Sequence, residues 1–175
     1  MSTYNTSGIS DCIEKCIRRH NKVLVFGVGG NAANAIHFAA ELQGKYEKFE
    51  TPMACIDLCS NPSILTAITN DFGWDYCYKR QISALAQPGD IVVALSISTK
   101  GQYLVNAINE ALDRACQVIL ICGKYTPIPD FRNQRVLDPS DRFILFELDS
   151  LDTPKVQEVQ LSLIHQICGV VKSRF

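Results

Sequence analysis

Short runs of uninterrupted apolar residues confine this chain to few architectures: Lys22 to Phe26 (KVLVF), Asp90 to Ile97 (DIVVALSI) and Val118 to Cys122 (VILIC). Runs this short, without polar alternation, suit strands buried on both faces, as in parallel sheets covered by helices. Met53 to Leu58 and Phe143 to Leu148 read as two more strands. Between them lie helical patterns. Ser10 to His20 places Ile13 and Ile17 on one side and Arg18 and Arg19 on the other. After Asn31, an acceptable N-cap, an apolar stripe of Ala32, Ala35, Ile36, Ala39, Ala40 and Leu42 ends near Gly44. Further helices are expected over Pro62 to Thr69, up to Ile82–Ala86, over Gly101 to Cys116, and from Pro154 to Ser173, where the proline suits a first turn. Strands alternating with helices make βαβ units, so the fold class is α/β: a three-layer sandwich with a parallel sheet covered on both faces. Lys124 to Ser140 holds Pro127, Pro129 and Pro139 with little periodicity, and reads as one long loop.

A length of 175 residues, 47% hydrophobic, fits one domain with its own core. A net charge of −1 without a basic stripe gives no electrostatic reason to bind nucleic acid. The eight cysteines (Cys12, Cys16, Cys55, Cys59, Cys77, Cys116, Cys122 and Cys168) form no CxxC and sit in apolar segments, so they read as small core residues. The polar start, without a secretory apolar region, and the lack of a membrane-length apolar run combine with free thiols to suggest the cytoplasm, with no membrane partner.

Ligands of open parallel sheets bind beyond the strand carboxyl ends, where the strand order reverses. Two loops have the chemistry for that place. In Gly27-Val28-Gly29-Gly30-Asn31, the glycines allow close approach while helix N-terminal amides point at an anion. This loop lacks the third glycine of GxGxxG, and no acidic residue stands at a clear strand end about twenty residues on, so no nucleotide cofactor is expected. Ser96-Ile97-Ser98-Thr99-Lys100-Gly101-Gln102 offers hydroxyls, amides and the Lys100 charge, unless Ser98 or Thr99 merely caps the next helix.

Two helices add polar pairs on apolar stripes. His37 and Glu41 are one helical turn apart, and Gln157 and His165 two turns apart, so each pair shares a face. Carboxylate, imidazoles and amide together suit proton transfer on a sugar, or a zinc ion. Singly, each has a plainer explanation. His37 could be satisfied by a carbonyl, Glu41 could pair with Lys45 for about 0.3–0.5 kcal/mol, and Gln157 and His165 could be polar decoration. Phe72, Trp74, Tyr76 and Tyr78 form an aromatic cluster expected to pack on the sheet edge.

Taken together, VFGVGGNAANAIHFAAELQGKY, TNDFGWDYCYKRQI, QPGDIVVALSISTKGQYLVNAINEA and VQEVQLSLIHQI resemble the phosphoheptose isomerase family of the SIS (sugar isomerase) superfamily, over about residues 22–170. The resemblance implies a five-stranded parallel sheet of flavodoxin-like form, a leading helical segment over residues 1–21 and a SIS domain over 22–175. It implies an aldose–ketose isomerase that converts sedoheptulose 7-phosphate into D-glycero-D-manno-heptose 7-phosphate for surface polysaccharide, working as a homotetramer with sites between subunits. By position, Glu41 matches the carboxylate that moves the proton and His165 its acid/base partner. Gln157 matches the amide supporting the substrate, Asp71 the acid of the NDFG turn, and Ser98 with Thr99 the start of the phosphate loop, with Gly29, Gly30, Asn31 and Lys100 alongside. A zinc ion held by some members falls on His37, Glu41, Gln157 and His165.

The chain also departs from that pattern. Asn31, Lys100 and Tyr103 stand where serines are expected near the phosphate, and Pro154 where an acidic residue is expected, with Asp152 the nearest carboxylate. Lys100 can bind phosphate as a point charge, whereas Tyr103 takes up room a sugar phosphate needs. The alternative reading these changes raise is a non-catalytic SIS protein that binds a replication-initiator-type partner or senses a sugar phosphate.

Overall fold

Alternate residues of each central strand fill opposite sides of the sheet. In the computed structural model, which describes residues 4–45, 51–124 and 142–175, β1 (Val23–Gly27), β3 (Ile91–Leu95) and most of β4 (Gln117–Gly123) are buried. Val23, Val25, Ile91, Val93, Leu95, Ile119 and Ile121 belong to one core cluster, and Leu24, Phe26, Val92, Ala94, Val118, Leu120 and Cys122 to the other. Each fully buried Val, Leu, Ile or Phe among them contributes about 1.5–3 kcal/mol. With β2 (Cys55–Asp57) and β5 (Phe143–Leu148) these strands form a five-stranded, all-parallel sheet of order β2-β1-β3-β4-β5.

On the first face lie α1 (Ser7–Arg18), α2 (Gly30–Gln43) and α6 (Thr153–Lys172); on the second, α4 (Cys77–Leu85) and α5 (Gln102–Asp113). The leading helix shares the first core through Ile9, Ile13 and Cys16. Between β2 and α4 run α3 (Pro62–Phe72) and a single 3-10 turn, Trp74–Tyr76. Asn61 caps α3 by accepting from Ile64 N at 3.1 Å, and no residue of that helix is buried.

The sandwich expected from the pattern is present, with differences at element ends. The second strand is shorter than Met53 to Leu58: its ladder with β1 runs from Val23 N on Ala54 O to Leu58 N on Val25 O, and beyond it Asp57 accepts from the amides of Cys59 and Ser60 and turns the chain away. Helix α3 runs on past Thr69 until Gly73, at φ 87°, stops it. Asn31 is not the N-cap of α2: that helix starts at Gly30, Gly29 caps it at φ 61°, and Asn31 lies buried in the first turn. Most of the proline-bearing loop, residues 125–141, lies outside the described residues.

At the end of the sheet away from the loops, Asp90 is 1% exposed and accepts from Lys22 N (3.0 Å), Lys22 Nζ (2.6 Å), Gln87 N (2.8 Å) and Asn21 Nδ2 (3.1 Å). Burial alone would raise its pKa, but these donors outweigh burial and hold the carboxyl below its ordinary value. A folded-state pKa below the unfolded one adds stability that is present above the unfolded pKa and lost as pH falls through the folded value. Asp90→Asn is therefore expected to lower unfolding free energy at pH 7 by about 2–3 kcal/mol. In urea titrations at stepped pH, that deficit narrows below about pH 4. A deficit independent of pH would refute the charge-based account.

Candidate active site

The sheet order reverses between β1 and β3, and their register pairs Gly27 with Leu95, so the two anion-type loops leave the sheet side by side. The glycine loop is braced from the second face. Tyr78 stacks on Phe26 with ring centroids 4.6 Å apart, and its hydroxyl donates to Gly27 O at 2.6 Å. Burial raises the Tyr78 phenol pKa, so it stays a neutral donor.

The serine-rich loop is not a capping device. Gly101 is the N-cap of α5, with neither Ser98 nor Thr99 in that place, and Thr99 is buried while Lys100 is exposed. Ser96 Oγ donates to Ser98 O at 2.6 Å and tightens the turn. Tyr103 is built into the wall of this loop. Its ring lies where a Cβ on Gly101 would stand and meets Trp74 and Tyr78 at 6.0 and 6.1 Å. Burial raises the Tyr103 pKa, while a hydrogen bond with Ser96 opposes the shift. The aromatic cluster thus divides: Tyr78 is buried as expected, with Trp74 edge-on to it, while Phe72, Trp74 and Tyr76 stay exposed, Arg80 and Lys79 lying over the rings of Phe72 and Tyr76.

Helices α2 and α6 lie parallel, matched from end to end. Gly30 touches the Gln157 amide, Asn34 Nδ2 donates to Gln157 O at 3.0 Å, His37 faces His165, and Lys172 Nζ donates to Gly44 O at 2.6 Å. A Cβ at Gly30 would displace the Gln157 amide from its present place. Among these pairs, His37 Nε2 lies 3.0 Å from His165 Nε2 and 3.3 Å from Glu41 Oε1. Glu41 thus turns to an imidazole of its own helix. With the two ring nitrogens in contact, one carries the proton and the other presents a lone pair.

His37, Glu41 and His165 are the described residues whose metal-binding atoms cluster, all within 4.8 Å of one another. Two imidazoles and a carboxylate are a catalytic zinc donor set, and bonds of about 2.0–2.1 Å put tetrahedral ligand atoms about 3.3 Å apart, close to the two spacings that His37 makes. The buried Cys168 thiol near Glu41 does not compete as a thiolate: burial first, then the Glu41 charge, raises its pKa. Asp71 is outside this cluster, exposed at the end of α3 and accepting from Asn70 Nδ2 at 2.9 Å.

Two polar residues that the sequence pattern did not single out belong to this region. Gln160, fully buried, donates from Nε2 to Ser96 O at 3.0 Å and Ile121 O at 3.3 Å, and Asn34 reaches its Oε1 at 3.5 Å. The available signal was a glutamine one turn after Gln157 on a helix whose neighbouring stripe, Val156, Val159 and Leu163, is apolar.

A parallel sheet with two loops at its switch point and a His–Glu–His trio on flanking helices fits a SIS-domain protein of the sugar isomerase type, and the SIS domain family model matches residues 4–123. A probable phosphoheptose isomerase of Thermoplasma acidophilum is 37% identical over 168 residues, covering 96% of this chain and 87% of the relative. The phosphoheptose isomerase of Bordetella avium is 36% identical, covering 93% and 79%. The solved phosphoheptose isomerase of Neisseria gonorrhoeae superimposes with a TM-score of 0.83 at 30% identity, over 96% of this chain and 85% of that one. The chain belongs to the phosphoheptose isomerase family of SIS-domain proteins.

The trio predicts that the metal-stripped protein binds one cobalt(II) ion per chain, read from the visible absorption of a nitrogen- and oxygen-ligated ion. His165→Ala should weaken that binding at least about a hundredfold. Equal affinity in the variant would mean that the trio is not the metal site.

Proposed function

We propose that the chain interconverts a 2-ketose phosphate and its aldose through an enediol, the substrate being sedoheptulose 7-phosphate and the product D-glycero-D-manno-heptose 7-phosphate. The observation that carries this is the convergence of Glu41 and His165, from opposite ends of the sequence, on two helices of which one starts in the glycine loop and the other lays Gln157 over it, in a chain 37% identical to a probable phosphoheptose isomerase. Glu41 takes a proton from C1 and returns it to C2. His165 gives and takes the hydroxyl protons at O1 and O2, and the His37 ring contact orients it. Gln157 holds the sugar hydroxyls over Gly30, while Gly29, Gly30, Asn31, Ser98, Thr99 and Lys100 receive the phosphate, and Asp71 serves from the edge of the site. Lys100 supplies as a point charge what serine hydroxyls would supply as hydrogen bonds.

His37, Glu41 and His165, with Gln157 as a fourth ligand, would hold zinc, which when bound polarises the sugar oxygens and lowers the barrier to enolisation. Only one Glu41 oxygen faces His37 in the trio, so its second oxygen is left for proton transfer. The active assembly is a homotetramer with sites between subunits. Supporting this, the His37 side chain is 40% exposed beside exposed Ile36, and α3 with the turn after it shows Ile64, Phe72, Trp74 and Tyr76 to solvent. No helix among the described residues is long and apolar enough to cross a membrane. Eight free thiols, six of them buried, suit the reducing cytoplasm.

Incubated with sedoheptulose 7-phosphate in deuterium oxide, the protein should place solvent deuterium at C2 of the aldose. Glu41→Gln should cut turnover at least about a thousandfold while leaving the melting transition in place. No exchange at high enzyme concentration would end the isomerase reading in favour of a sugar-phosphate binder, which calorimetry with the same compound would then show. Light scattering should give about four times the mass of the 19.5 kDa chain. A monomer that isomerises would refute the shared-site assembly.

A further inference from the structure

We propose that Gln160 is a positioning residue that fixes the span between the anion-binding loops and the His37–Glu41–His165 trio, and so sets the length of sugar phosphate the enzyme accepts. This inference rests on the isomerase reading. A sugar phosphate must touch two places at once: its phosphate at the strand tips, and C1 with C2 at the trio. The distance between those places is a property of the scaffold, and a misplacement of about 1 Å can cost about a hundredfold in rate.

One buried side chain joins the parts that define this distance. Gln160 is 0% exposed. Its Nε2 donates to Ser96 O at 3.0 Å and Ile121 O at 3.3 Å, at the carboxyl ends of β3 and β4. Ser96 opens the serine-rich loop: its amide donates to Ile121 O at 3.0 Å and its hydroxyl to Ser98 O at 2.6 Å. The other end of the amide, Oε1, faces Asn34 Nδ2 at 3.5 Å, and that same Nδ2 donates to Gln157 O at 3.0 Å. Asn34 stands one turn before His37 on α2, and Gln160 lies between Gln157 and His165 on α6. The chain Ser96–Gln160–Asn34 therefore ties the start of the anion loop to both helices that carry the trio. At the Gln160 end, which is fully buried, a shift of α6 leaves the amide of Gln160 or the carbonyls of Ser96 and Ile121 without a partner. The Gln160 side chain is remote from solvent and acts through its neighbours, so its effect falls on the spacing of groups that themselves touch the sugar.

The test compares wild type with Gln160→Met, and with Asn34→Ala, whose side chain is only half-buried and whose loss leaves the core intact. Rates are measured on seven-, six- and five-carbon 2-ketose phosphates, with inorganic phosphate as an inhibitor that touches the anion loops alone and cobalt(II) as a probe of the trio alone. The seven-carbon kcat should fall at least about tenfold, and its preference over the six-carbon substrate should fall by a similar factor. Inhibition by phosphate and affinity for cobalt(II) should stay within about twofold, since each ligand senses one end of the span. Asn34→Ala should shift the preference in the same direction, and the double variant should lose less than the product of the single losses, as expected for two members of one network. Parallel loss of all substrates, phosphate and cobalt(II), or an unchanged preference in both single variants, overturns the inference while leaving the isomerase reading standing. A wild type inactive on every ketose phosphate overturns both.

Discussion

The parallel contact between α2 and α6 is the interaction on which the rest of this site depends. The two helices come from the first and last thirds of the chain, yet they meet residue by residue, from Gly30 under the Gln157 amide to Gly44 O on the Lys172 ammonium. Both lie on one face of the sheet against the same apolar cluster, so burial of Phe38, Leu42, Leu163 and Ile167 is what holds His37 against His165. An almost wholly buried lysine at the end of this contact, 2% exposed, is bonded to the carbonyl at the C-terminus of α2, where the helix dipole favours a cation. The geometry of the His37–His165 contact is a product of core packing.

The second constraint is the reversal of strand order between β1 and β3. Parallel pairing of Gly27 with Leu95 puts two unrelated loops at one place, and the opposite face of the sheet supports both through one aromatic group. Tyr78 holds the first loop by its hydroxyl on Gly27 O, while Tyr103, against Tyr78 and Trp74, underlies the second. The two faces differ in what they carry: the first bears the His37–Glu41–His165 trio, and the second braces the two loops.

Much of this was legible in the sequence. Uninterrupted runs such as VILIC could only be strands covered on both faces, and the spacing of His37 with Glu41 required them to share a helix face. What periodicity could not supply was contact across the chain: nothing local indicates that His37 meets His165, or that the Gln157 amide lies over Gly30. The misplaced cap has a physical origin too. Asn31 has a side chain suited to capping, but Gly29 can adopt the positive φ at the helix entry, and the preceding loop turns there instead. Gln160 escaped notice because a lone glutamine in an apolar stripe looks like a surface residue until its carbonyl partners, distant in sequence, are known.

The ring of Tyr103 folded against Gly101 bears on how substrate preference can change in this lineage. A serine restored at that position would not simply return a hydroxyl to the cradle. It would remove the body that fills the space beside Trp74 and Tyr78 and leave the backbone of the loop without a floor. A change of this loop is therefore coupled to its floor: Tyr103, Trp74 and Tyr78 pack as one unit, so a replacement at the first asks for compensation at the others.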